Sequence, residues 1–192
     1  MLRVYYKTLL VVLFGALSCT ESDEPYKTVL GENSYAIDVP VRFTKRDDLH
    51  KLSYLQLSDS ENSFYVVVLA DSKKNLKGLS LKYNLKGYKD FVLKKLGESI
   101  RIDSSKVLTY KSSGNLSSVF FEVSGIDRAA KTEGKVLAQV GVYESSRCFY
   151  QTITWTSFPV EELKIEEMQR ILESFREIKR QTKHTPIAPT GH

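Results

Sequence analysis

VLAQVGVYESSRCFYQTITW, residues Val136 to Trp155, is the stretch that settles the fold class. Its two halves, Val136 to Tyr143 and Cys148 to Trp155, are rich in valine, threonine and aromatic side chains. Between them Glu144-Ser145-Ser146-Arg147 is a short polar run of turn formers, so the halves read as an antiparallel hairpin. In the second half Phe149, Ile153 and Trp155 alternate with Tyr150, Thr152 and Thr154, leaving Gln151 as the polar exception on the more apolar side.

The same strand pattern continues upstream. Val107 to Tyr110 and Leu116 to Val123 flank the turn Ser112-Ser113-Gly114-Asn115, and Gly125 to Gly134 is the loop that leads into the central hairpin. Earlier, Leu52 to Leu57 and Phe64 to Leu69 flank the turn formers Ser58 to Asn62, giving a second hairpin. Tyr65 to Val68 is continuously apolar and β-prone, as expected of a central strand covered on both sides. Tyr35, Ile37 and Val39 make an alternating strand that ends at Pro40, which cannot donate to a sheet ladder. Val41 to Lys51 reads as a polar loop.

Two segments carry helical periodicity instead. Tyr88, Phe91, Val92 and Leu96 place an apolar stripe on a helix over about Leu85 to Leu96, with Gly97 at the position where a helix end favours positive φ. Around it, Lys73 to Lys95 holds Lys73, Lys74, Lys77, Lys82, Lys86, Lys89, Lys94 and Lys95 against the single acid Asp90. This basic face reads either as a docking surface for anionic lipid or an acidic partner, or as a solvated helix face. The second helix begins near Pro159, with Glu161 and Glu162 where the helix dipole favours acids. Val160, Leu163, Met168, Ile171, Leu172, Phe175 and Ile178 then recur along about five turns, closed by Arg176, Lys179 and Arg180.

The expected fold is α+β: a single domain over residues 34–180, with an antiparallel sheet of about six or seven strands covered by two main helices. Residues 181–192, with two prolines and no apolar stripe, read as a disordered tail.

The N-terminus has a different character. Arg3 and Lys7 precede an apolar run from Leu9 to Leu17 that ends in small residues, the three-part layout of an export signal over residues 1–18. The run is shorter than the roughly 20 residues that a membrane-spanning helix needs. Its end, Ala16-Leu17-Ser18-Cys19, resembles the lipobox of bacterial lipoproteins, with Leu two positions before the cysteine where the usual pattern has it three before. The resemblance implies that Cys19 is acylated and becomes the first residue of the mature chain. Two or three acyl chains make a stable anchor where one does not. Residues 19–33 then read as the lipidated cysteine and a flexible tether. The acidic cluster Glu21 to Glu24 within it fits either a surface-export signal or a solvated linker.

Composition excludes several classes. Without Arg3 and Lys7 the formal charge of +5 becomes +3, too mild for a nucleic-acid partner. With Cys19 acylated, Cys148 stands alone, no intramolecular disulfide is possible, and it reads as a small buried hydrophobe. The spacings G-x-S-x-G, H-E-x-x-H, G-x-x-x-x-G-K and C-x-x-C do not occur. His50 is the only histidine before the tail and reads as an exposed loop residue. Asp47-Asp48, Glu161-Glu162 and Glu166-Glu167 are carboxylate pairs, but neighbours on a helix diverge, so they read as loop and surface charges. No catalytic residue, cofactor site or metal site is assigned. Tyr143, Tyr150 and Trp155 read as core or sheet-face packing rather than as the lining of a ligand cleft.

The strand Tyr35-Ala36-Ile37-Asp38-Val39-Pro40, the middle helix, the late strand Cys148 to Trp155 and a closing helix with Glu173-Ser174-Phe175 together resemble the PsbP-like group. That group includes extrinsic photosystem subunits and bacterial lipoproteins of the DcrB type. The resemblance implies a non-catalytic fold that docks on partners. The functional expectation is therefore a lipid-anchored protein of the bacterial cell envelope, expected on the outer membrane and facing the periplasm or the cell surface, acting as a binding or assembly module for an envelope partner. The alternatives are a small envelope hydrolase with dispersed catalytic residues, and a carrier of an apolar ligand in a cavity lined by residues such as Phe91 and Phe175.

Overall fold

The computed structural model describes residues 24–32, 34–53, 55–76, 84–128 and 134–178. Cys19, the export signal, Lys77, Lys82 and the 181–192 tail lie outside them. The hairpin at Val136–Trp155 forms as expected and is the middle of a seven-stranded antiparallel sheet. In chain order its strands are β3 (Thr44–Arg46), β4 (Leu55–Asp59), β5 (Phe64–Ser72), β6 (Ile100–Ser113), β7 (Leu116–Asp127), β8 (Gly134–Glu144) and β9 (Cys148–Ser157). They lie in the order β3-β4-β5-β9-β8-β7-β6. A three-stranded sheet, β1 (Tyr26–Gly31), β2 (Tyr35–Pro40) and β10 (Arg176–Glu177), is separate from it. The helices are α1 (Lys73–Leu76), α2 (Leu85–Ser99) and α3 (Glu162–Glu173).

Strand alternation divides the core in two. On one face of the large sheet Val66, Val68, Phe120, Leu137, Tyr143 and Tyr150 pack with Tyr35, Ile37 and Val39 of β2 and Met168, Ile171 and Leu172 of α3. On the other face Val119, Phe121, Val123, Val140, Val142 and Phe149 pack with Tyr88 and Val92 of α2. The sheet is thus the middle of three layers, with the small sheet and α3 on one side and α2 on the other.

Several boundaries differ from the sequence expectation. Within the expected Val41–Lys51 loop, Thr44–Arg46 pair with Ser58, Leu57 and Gln56 of β4 as a short edge strand, and β4 itself runs on through Ser58 and Asp59 of the expected turn. Tyr26–Gly31, assigned to the tether, form a strand whose register runs from Tyr26 opposite Pro40 to Gly31 opposite Tyr35. Val29 packs on the core, and Lys27 Nζ donates to the carbonyls of Val41 and Phe43 at 2.8 and 2.6 Å. Gly97 sits inside α2, which continues to Ser99, and does not have positive φ. The strand expected from Val107 begins seven residues earlier, at Ile100, directly after the helix. The closing helix starts at Glu162 rather than Pro159 and ends at Glu173. Beyond it the chain turns so that the Phe175 ring stacks on Tyr143 at 4.1 Å and on Tyr35 at 5.6 Å. Ser174 fixes the break: its hydroxyl accepts from the Asp38 amide at 2.8 Å and donates to Ile171 O at 2.7 Å.

Candidate binding cleft and the two ends of the sheet

Because Phe64 lies opposite Thr156 and Ser72 opposite Cys148, the β4–β5 turn and the β8–β9 turn are at opposite ends of the large sheet. The β6–β7 turn shares the second end, since Ser117 pairs with Glu144. These two ends carry different chemistry, and α3 supplies a carboxylate to each, Glu167 to Arg42 and Glu173 to Lys111.

At the β6–β7 end is a cleft of about 370 Å³. Phe120, Tyr143 and Phe175 give it an apolar floor, with Leu116 and Ile178 at its side, and Lys111, Arg147 and Arg176 supply cations. Most of this charge is already committed. Lys111 pairs with Glu173 at 2.7 Å and lies over the Phe120 ring. Hydrogen bonds from Gln169 and then Lys111 hold the Glu173 carboxyl below its usual range. Arg176 forks onto Asp38 at 2.9 and 3.0 Å, which lowers that carboxyl's pKa in turn. Glu177 accepts from the Tyr150 hydroxyl at 2.8 Å. Burial, and then this bond, push the Tyr150 phenol up, while burial alone leads for Tyr143. Arg147 has no ion pair among the described residues and is the cleft's uncommitted cation. The site can therefore hold an apolar group with a single negative charge.

At the opposite end Arg42 gathers three carboxylates from distant segments. It pairs with Asp59 at 2.6 Å, with Glu167 of α3 at 2.5 Å, and with Glu24, the first described residue. Asp59 is also bonded by Asn62 at 2.6 Å. Burial works against its ionised form, but the bonds from Asn62 and Arg42 prevail and its pKa is lowered.

The lysine-rich helix is present. Lys86, Lys94 and Lys95 are exposed, while Tyr88 and Val92 face the sheet. Tyr88 stacks on Phe149 at 4.4 Å and bonds Asp71. The basic charge is less open than the sequence implies. Lys73 pairs with Glu144, Lys89 with Asp90 and Lys95 with Glu98.

Other residues weighed from sequence fall in structural roles. Gln56 ties down the His50 loop, accepting from the Leu49 and His50 amides at 2.7 and 2.8 Å, and His50 Nδ1 accepts from the Leu52 amide at 3.2 Å. Cys148 is half-buried against the core at the first position of β9. Asp48 pairs with Arg46, and of the Glu166-Glu167 pair Glu167 is the one that turns to Arg42. Tyr143 and Tyr150 are adjacent at the cleft end, but Trp155 lies on the other face, stacked on Tyr65 at 5.1 Å. Phe91 and Phe175 lie on opposite sides of the sheet and do not line one cavity. Only Phe175 lines the cleft. Among the described residues no cluster of three or more His, Cys, Asp or Glu side chains could hold a metal ion.

No protein family and no curated protein matches the chain. Solved structures do. A protein of Bacteroides thetaiotaomicron aligns at TM-score 0.47 and 10% identity over 76% of this chain, which spans only 46% of that protein's length. PsbP (CyanoP) from Synechocystis aligns at TM-score 0.51 and 9% identity, over 82% of this chain and 95% of its own. The layered antiparallel sheet with its covering helices is thus an α+β single domain with a PsbP-like fold.

Proposed function

We propose that this is a bacterial cell-envelope protein held on its membrane by acyl chains on Cys19, and that it acts without catalysis as a binding or assembly module. The observation that carries the reading is the placement of the cleft. The chain enters the fold at Glu24, at the Arg42 end, and the cleft opens at the other end of the sheet. Strands of about nine residues separate the ends by roughly 27 Å, so the cleft is presented away from the point of attachment. The exposed lysines of α2 add a second, flanking contact surface for an envelope partner. The PsbP-like fold is compatible with this role but does not name a partner.

A second reading, a carrier of an amphipathic ligand, is favoured by the aromatic floor of the cleft and the uncommitted Arg147. Site-specific photo-crosslinkers at Asn115 and Ser113 separate the two. The binding-module reading expects protein adducts that Arg147→Glu abolishes, and the carrier reading expects a co-purifying small acid lost in the same variant. Adducts no different from those of a crosslinker at Lys45, with no co-purifying ligand, would remove the cleft from the account.

A further inference from the structure

We infer that the Arg42 end of the molecule is a membrane-contact surface, seated on the interface of the bilayer through Val41 and Leu163. The inference rests on the reading of Cys19 as acylated, and extends it from where the protein is attached to how it sits.

Three observations converge. First, the exit of the chain is fixed. Glu24 is paired with Arg42, and the Val41 amide donates to the carbonyl of Pro25 at 3.0 Å. From Cys19 to Glu24 there are five residue steps, which even fully extended span no more than about 18 Å. Whatever surrounds Glu24 is therefore kept near the lipid. Second, apolar side chains are exposed at that place. Leu163 is 59% exposed and shares a surface depression with Glu24, Tyr26 and Arg42, and Val41 is 44% exposed beside Pro25. Phe158, 41% exposed, precedes α3 at the same end with Lys135 Nζ 4.8 Å over its ring. An apolar ring with a cation at its face suits the boundary between head groups and acyl chains.

Third, the charge around the depression selects the kind of surface. Glu24, Glu161, Glu166 and Glu167 face Arg42, Lys164 and Arg170 there, so no positive excess exists to seek anionic lipid. The fitting partner is a zwitterionic interface, entered by apolar tips. The lysine row of α2, on the far face of the sheet, is not the membrane contact under this arrangement.

The chain has one tryptophan, which makes the test direct. In a Trp155→Phe background of the full acylated protein, Leu163→Trp and Val41→Trp are compared with Tyr110→Trp, a position 58% exposed on the edge strand toward the cleft end. The proteins are reconstituted in phosphatidylcholine vesicles with brominated acyl chains. Emission at positions 163 and 41 should be blue-shifted and quenched, and at position 110 neither. Hydrogen exchange of the unaltered protein should slow on vesicles at residues 41–43 and 161–164 but not at 108–116. Equal quenching at all three positions, or quenching that requires anionic lipid, would overturn the inference while leaving the anchor intact. A mature chain with Cys19 unacylated by mass spectrometry would overturn the anchor itself.

Discussion

The Tyr143 hydroxyl donates a 2.5 Å hydrogen bond to the carbonyl oxygen of Leu172. A central strand is thereby joined to the last turn of α3, whose final carbonyls have no partner within the helix. The same ring stacks on Phe175 and forms the floor of the cleft, so one side chain connects sheet, helix end and candidate site.

Tyr143→Phe keeps the ring and removes the donor, leaving a buried carbonyl without this partner. Loss of such a bond costs about 1–2 kcal/mol, which should appear as a lower urea midpoint with an unchanged slope. Because Phe175 loses nothing it stacks on, the cleft should survive.

Gly141 has no room for a side chain, since a Cβ there would meet the Tyr143 ring, 2.7 Å from Cζ. The ring lies over the bare backbone of its own strand. Gly141→Ala should displace it and cost about 1–3 kcal/mol, read as a fall in Tm, with near-ultraviolet dichroism reporting the disturbed aromatic cluster.

Paired carboxylates at both ends of the sheet, Asp59 at the Arg42 end and Asp38 and Glu173 at the cleft end, should make the fold acid-sensitive. Asp59, Asp38 and Glu173 all have carboxyls held below their usual range. A lowered folded-state pKa gives stability that is complete above the ordinary carboxylate range and is lost as pH falls through the folded value. Urea midpoints should hold down to about pH 5 and then fall progressively as the pH drops further. Arg42→Met leaves the mostly buried Asp59 without its guanidinium. It should cost about 2 kcal/mol at neutral pH, less than a fully buried pair because Arg42 is partly exposed, and flatten the acid limb.

The hairpins, the central strands and α2 were legible because their apolar spacing is local: residues two, three or four apart decide the face. What escaped depends on residues far apart in sequence. β1 shows little alternation of its own, with Lys27 and Thr28 between Tyr26 and Val29, and is a strand because β2 pairs with it. Phe175 continues the helical spacing of Met168, Ile171 and Leu172, so the sequence extends α3 through it. The rings of Tyr35, Tyr143 and Tyr150 draw it out of that register. The cleft is assembled from residues 111–120, 143–147 and 173–178, three segments with no shared motif. Arg147, read as a turn residue, gave no sign of its place there.

The central claim is that acyl chains on Cys19 hold the folded body at a membrane. Intact-mass and peptide mass spectrometry of the protein purified from detergent extracts of the native membrane tests it most directly. The account predicts a mature chain beginning at Cys19 with two or three acyl chains attached, and a Cys19→Ala variant that leaves the membrane fraction. A mature terminus elsewhere, or an unmodified Cys19 thiol on a protein recovered in the soluble fraction, would contradict it.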